Sequence, residues 1–191
     1  GTKLYDQSNF DSAVLQDVKN AKKWVVIFSG FSTPKRIAFW SDIFRQKISE
    51  GVKIRCVTRS PKNQGNIDVE TAKEAIEQLV NLGVIVDLRQ QIHEKTIFID
   101  EDILWTGSLN PLSHTGKTEE IMLRDSSKQL SMMRARFEIY RRGFKPSARA
   151  EPSYQRVDPA QFPSPRHSTQ ETPAIPALAG GWGFPCSPAY L

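Results

Sequence analysis

Apolar and polar positions follow two alternating periods along this chain. The longest apolar run, Trp24-Val25-Val26-Ile27-Phe28, predicts a buried strand over 24–29. Ahead of it, Ser8 with Asp11 resembles a capping box opening a helix that runs to about residue 22. Behind it, Thr33-Pro34 is a cap and first turn for a helix ending at Gly51. A strand over 53–58, a loop over 60–66, a helix over about 69–82 stopped by Gly83 and a strand over 84–88 follow. Thr96-Ile97-Phe98-Ile99 and Ile103-Leu104-Trp105-Thr106 then flank the polar turn Asp100-Glu101-Asp102, the pattern of a β-hairpin. Ile121-Met122-Leu123 predicts one more strand. A last helix carries Leu130, Met133, Phe137, Tyr140 and Phe144 at three-and-four spacing, a stripe suited to core or dimer packing. Strands alternating with helices argue an α/β fold with a mixed sheet.

Composition adds a boundary. The chain has 191 residues, enough for one compact domain with residues to spare, and nine of its twelve prolines lie from Pro146 onward among Ser, Thr, Gln and Ala. The expectation is a folded domain over 1–145 and a flexible or disordered tail over 146–191 that adds no core element. The tail balances Arg149, Arg156 and Arg166 against Glu151, Asp158 and Glu171, so the formal charge of +5 belongs to 1–145. Lys128, Arg134, Arg136, Arg141, Arg142 and Lys145 crowd the last helix. Of these, Arg134, Arg141 and Arg142 are candidates to track a nucleic-acid backbone. Arg45, Lys47, Lys53, Arg55, Arg59 and Lys62 add charge that sequence alone cannot assign to one face. The longest apolar run is far below the ~20 residues needed to span a bilayer, so no membrane span is expected. Two cysteines distant in sequence, Cys56 and Cys186, suit a reducing, cytoplasmic setting. The start Gly1-Thr2-Lys3-Leu4 has no initiating Met and no signal-peptide layout, and suits a processed product or a piece of a longer chain.

The chemistry concentrates in 93–110, which reads His93-Glu94-Lys95, four residues, Asp100, six more, then Gly107-Ser108-Leu109-Asn110. On a strand, side chains two apart share a face, so His93 and Lys95 point one way, as do Ser108 and Asn110 on the partner strand. A single strand histidine is ordinarily structural or a surface residue, and a single Lys-x4-Asp is a solvated ion pair. Five residue types and a glycine in fixed order on one hairpin are another matter. The series resembles the HKD motif of the phospholipase D superfamily, His-x-Lys-x4-Asp followed by Gly-Ser-x-Asn. The resemblance covers about 4–145 and is most specific over 93–120. It implies a phospholipase D-like α/β/α sandwich with a mixed β-sheet and an active site at strand ends.

The resemblance also implies roles. His93 would attack a phosphodiester phosphorus and carry a phospho-histidine intermediate. Its second ring nitrogen needs a carboxylate, supplied by Glu119 or Glu120; adjacent residues point to opposite faces, and Glu120 is preferred. Lys95 and Asn110 would hold the non-bridging oxygens, with Ser108 adding a hydroxyl donor. Asp100, an odd number of residues from His93, falls at the turn; although a motif member, it is expected to be structural. The reaction needs a second histidine as general acid. Neither His114 nor His167 begins another motif, so a homodimer sharing one site is implied. The chain offers no C-x2-C, H-E-x-x-H or calcium loop, and the scheme asks for no metal and no cofactor. Over 92–124 the chain looks most like modules of small bacterial nucleases, of some restriction enzymes and of domains fused behind helicase-like ATPases. Three functions stand open: a metal-independent nuclease acting on DNA or RNA, a lipid phosphodiesterase or phosphatidyltransferase, and a non-catalytic nucleic-acid-binding module of a helicase-like protein. For the lipid enzyme, Phe28-Ser29-Gly30-Phe31 would serve as an apolar lip.

Overall fold

The computed structural model describes residues 1–133 and 154–162. Eight strands and three α-helices succeed one another: β1 (Thr2–Asp6), α1 (Phe10–Asn20), β2 (Trp24–Phe28), α2 (Pro34–Ser49), β3 (Lys53–Arg59), α3 (Val69–Asn81), β4 (Ile85–Arg89), β5 (Thr96–Ile99), β6 (Ile103–Gly107), β7 (Ile121–Asp125) and β8 (Tyr154–Arg156). They form one sheet in the order β1-β7-β6-β5-β2-β3-β4-β8. Only β2, β3 and β4 run parallel, because α2 and α3 supply the long crossovers that parallel neighbours require. The remaining pairs are antiparallel, so the sheet is mixed and the fold α/β, as the alternation of periods predicts.

Strand parity divides the core in two. Val25, Ile27, Ile54, Cys56, Ile97, Ile99 and Trp105 face the helices, where α1 buries Phe10, Val14 and Val18, α2 buries Ile37, Trp40 and Phe44, and α3 buries Ala75, Ile76 and Leu79. Val26, Phe28, Val57, Phe98 and Leu104 form a smaller cluster on the opposite face, joined by Ile92. One buried carboxylate ties the helical layer to the sheet. Asp17 of α1 accepts from the Trp105 indole at 2.8 Å and from Arg124 through two bonds of 2.6 and 2.7 Å.

The structure departs from some of these expectations. The capping box is not formed: Asn9 precedes α1 without a side-chain cap, and the Asp11 carboxylate reaches instead to Arg36 and His114. Thr33, by contrast, does cap α2, accepting from the Arg36 amide. The tail is not wholly apart from the core, because β8 pairs with the β4 edge and Val157 is buried in the helix-side cluster. The rest of 146–191 lies outside the described residues. Of the last helix, only 128–133 is described; there Leu130 and Met133 are 41% and 65% exposed, which fits the dimer-packing alternative of the stripe rather than the core one. Arg134, Arg141 and Arg142 lie outside the described residues. Lys47 is no surface charge either, since its ammonium is buried against the Lys19 carbonyl and Glu50. No described helix is long and apolar enough to cross a membrane.

Candidate active site

His93 leaves the sheet just before β5, beside the C-terminal ends of the parallel strands β2 and β3. Two residues from those strand ends hold its backbone. Gly30, after β2, lies so close that an added Cβ would stand 3.1 Å from the Ile92 carbonyl oxygen and 3.3 Å from Arg59 Nε. Arg59, the last residue of β3, donates Nε and Nη2 to that carbonyl at 3.0 and 2.8 Å. The imidazole of His93 is exposed, and its Nδ1 lies 3.2 Å from Arg59 Nη2. Lys95, half-buried, donates its ammonium to the His93 carbonyl at 3.1 Å. The predicted nucleophile and cation are therefore neighbours, and Arg59 meets the ring at Nδ1.

The second half of the motif is fixed by close packing. A Cβ on Gly107 would stand 2.1 Å from the Ile121 carbonyl oxygen, so only glycine permits β6 to approach β7 there. Ser108 follows, and its hydroxyl accepts from the Ile121 amide at 2.9 Å and donates to the Ile121 carbonyl at 3.4 Å. The hydroxyl thus bridges the motif to β7. Asn110 begins a turn whose next carbonyl, Pro111, accepts from Arg36 Nε and the Trp40 indole at 3.0 and 2.8 Å. The turn thereby docks on the start of α2. The Asn110 side-chain oxygen is buried without a hydrogen-bond partner.

Asp100 lies at the other end of β5 from His93, roughly 13 Å along the strand. Its carboxylate accepts from the backbone amides of Lys22 and Lys23, each at 2.7 Å, and of Trp24 at 3.0 Å, while its own backbone takes a left-handed φ of 53°. Through these bonds Asp100 ties the hairpin tip to the entry of β2.

Glu119 is exposed, whereas Glu120 is half-buried, its amide donating to Gln7 at 3.0 Å and its Oε2 buried without a partner. Burial raises the Glu120 carboxyl, opposed by the charges of His114, Lys95 and Arg36. Neither glutamate takes the expected place on the His93 ring, where Arg59 stands instead. A second polar cluster lies close by. His114 Nε2 and Asp11 are 3.1 Å apart, and Arg36 grips the same carboxylate at 3.0 and 2.6 Å. Burial alone would raise Asp11, but the bonds from His114 and Arg36, and then their charges, hold it down at about 2. These three residues line a cleft of about 340 Å³ with Thr33, Lys35 and Gln7. Among the described residues, no three His, Cys, Asp or Glu side chains gather as metal ligands. Sequence reasoning missed Arg59 and Arg36 as site neighbours. The available signal was position: both end or begin an element beside the motif loops.

The profile of the family described as "Cardiolipin synthase, PLD-like domain" matches residues 14–140. No curated protein sequence matches the chain. Among solved structures, it is similar to Nuc, a phospholipase D family member from Salmonella typhimurium, with TM-score 0.62 and 16% identity over 82% of this chain and 97% of that one. NucT from Helicobacter pylori gives TM-score 0.57 and 15% identity over 76% and 96%. Phosphatidylserine synthase from Haemophilus influenzae Rd KW20 gives TM-score 0.60 and 11% identity over 84% of this chain and 41% of that one. With the family profile spanning about two thirds of its length, and with its mixed sheet shared by these folds, the chain belongs to the phospholipase D superfamily.

Proposed function

We propose that this protein is a metal-independent phosphodiesterase that cleaves nucleic acid through a phospho-histidine intermediate on His93, in a site completed by a second copy of the chain. The observation that carries the reading is an exposed imidazole with Arg59 on its Nδ1 and with Lys95 on the main-chain carbonyl of the same residue. Each cation rests on a main-chain carbonyl, and neither makes a salt bridge among the described residues. Neutral imidazole attacks phosphorus as the bond to the leaving oxygen breaks, and the charge gathering on the non-bridging oxygens meets Lys95 and the Asn110 amide. The leaving oxygen needs a proton from a separate acid. His114 cannot supply it: its side chain is 3% exposed, Nε2 is held by Asp11, and Nδ1 is buried without a partner. His167 lies outside the described residues. A twofold-related His93 supplies the acid most simply.

Nucleic acid is favoured over lipid by the net charge of +5 and by the fate of the expected apolar lip, since Phe28 and Ser29 are buried and the Phe31 ring packs under Arg59. The lipid reading keeps one observation: Leu4, Ile121 and Leu123 form an exposed apolar strip on neighbouring strands, and Ile121 touches Ser108. Turnover of DNA, RNA and phosphatidylcholine vesicles, each with EDTA in excess, decides between them. Cleavage of a polynucleotide with EDTA present is the expected result, and hydrolysis of the vesicles alone would transfer the site to lipid. Binding of polynucleotide without turnover of any substrate would leave the non-catalytic module.

A further inference from the structure

Arg59 is built into its position more firmly than a surface arginine. Its guanidinium lies 5.0 Å over the Phe31 ring, its Nε and Nη2 both donate to the Ile92 carbonyl, and its Nη1 donates to the Asn63 carbonyl at 3.4 Å. Its own carbonyl accepts from the buried Gln64 amide at 2.9 Å. The surroundings are shaped to admit it: Gly30 leaves no space for a Cβ beside Nε, and Gly65, at φ 57°, packs against Phe31. What this framework presents to the site is Nη2, 3.2 Å from His93 Nδ1.

That contact fixes the protonation of the ring. A guanidinium has donors only, so Nδ1 must be the acceptor and a neutral His93 carries its proton on Nε2. Nε2, pointing away from Arg59, is the nitrogen free to meet a substrate, yet attack needs a lone pair there. With Nδ1 accepting from Arg59, the ring is therefore in the unreactive tautomer. A phosphate oxygen is a far better partner for guanidinium than an imidazole nitrogen. We propose, building on the phosphodiesterase reading, that Arg59 is a second cationic ligand of the scissile phosphate, which rests on His93 Nδ1 while the site is empty and moves to a phosphate oxygen when it fills. The ring then takes a proton at Nδ1 and gives one up from Nε2 through solvent, with no net change. The bared Nε2 forms the N–P bond as the P–O bond to the leaving group breaks, and the leaving oxygen takes its proton from the histidine of the second copy, an imidazolium that took up a solvent proton at Nδ1 when its own Arg59 turned to the phosphate. Attack by an idle nucleophile on water-borne electrophiles is thereby suppressed until a phosphate is seated.

The test uses the full chain with 15N-labelled histidine at about pH 8.5, where imidazole is neutral. Long-range proton–nitrogen spectra report which ring nitrogen carries the proton, and His93→Gln assigns the signal. Wild-type protein should show His93 protonated on Nε2 and should shift to the Nδ1-protonated form on saturation with inorganic phosphate. Arg59→Met should bind phosphate at least about tenfold more weakly and show no such switch. Arg59→Lys, which keeps the charge without the fork, should bind about threefold more weakly or worse, and it carries the comparison if Arg59→Met does not fold. An Nδ1-protonated ring in the free wild type, or equal phosphate affinity in the variants while turnover still depends on His93, overturns the proposal alone. Full diesterase activity in His93→Ala would overturn the reading of His93 as the nucleophile and the proposal with it.

Discussion

Replacing Asp100 separates the structural from the chemical content of the motif. In Asp100→Ala three acceptor contacts disappear, to the amides of Lys22, Lys23 and Trp24. The exposed amides regain water, so each bond is worth about 0.5–1.5 kcal/mol net. Alanine must also hold the left-handed φ of 53°, which costs about 1–2 kcal/mol where aspartate is tolerated. The loss adds up to about 3–5 kcal/mol, which lowers the urea midpoint by about 2 M at a slope of about 2 kcal/mol/M. Asp100→Gly forfeits the same bonds without the strain and should unfold about 1 kcal/mol later than the alanine variant. Asp100→Asn keeps an acceptor and should fall between wild type and both. Tryptophan fluorescence in urea reads the unfolding, and hydrolysis of bis(p-nitrophenyl) phosphate reads the chemistry. In the folded variants kcat should stay within about threefold, because no lost contact lies at His93. An unchanged midpoint with kcat lowered about a hundredfold would refute this reasoning and make Asp100 a catalytic group.

Three other perturbations probe separate parts of the structure. Gly107→Ala places a Cβ 2.1 Å from the Ile121 oxygen and 2.9 Å from Met122 Cα, both backbone atoms, so β6 and β7 must part; calorimetry should show a loss of about 2–4 kcal/mol, and a wild-type melting temperature would contradict it. Asp11, depressed from 3.8 to about 2, contributes stability that is fully present above about pH 4 and is lost as pH falls toward 2. Discounted for a side chain that is 39% exposed, that contribution is about 1 kcal/mol; Asp11→Asn should flatten the acid limb of the stability curve, and an unchanged limb would show that the Arg36 and His114 contacts do not hold the carboxylate. Mixing His93→Ala with wild-type chains should lower activity beyond dilution, because a mixed dimer lacks either nucleophile or acid; activity proportional to the wild-type fraction would place the whole site in one chain.

The hairpin and the parallel unit were legible because their signals are local. Alternation in Thr96–Ile99, the polar turn at Asp100 and the proline cap of α2 each depend on a few neighbouring residues. What escaped depends on distant partners. Strand β1 reads Thr-Lys-Leu-Tyr-Asp, a short sequence without strong preference, and becomes a strand by pairing with β7 more than a hundred residues away. Strand β8 is three residues long in a proline-rich stretch, and it forms because β4 offers an open edge. The Asp11 carboxylate fits a capping box by spacing, but Arg36 and His114 offer it charge as well as hydrogen bonds, and the stronger partners prevail. Arg59 was visible only as one basic residue among several on β3. Its meaning comes from the parallel pairing of β2 with β3, which carries its side chain to the carbonyl next to His93.

The central claim is a covalent intermediate on His93, and one measurement reaches it directly. A single turnover of a short oligonucleotide with EDTA present is quenched in alkali, which preserves phospho-histidine, and the peptide that contains His93 is weighed by mass spectrometry. The peptide should carry a phosphodiester-derived adduct on the imidazole within the first turnover, decaying as product forms and absent from His93→Ala. Cleavage that proceeds with no adduct at any time, or an adduct that persists on another residue in His93→Ala, would contradict it.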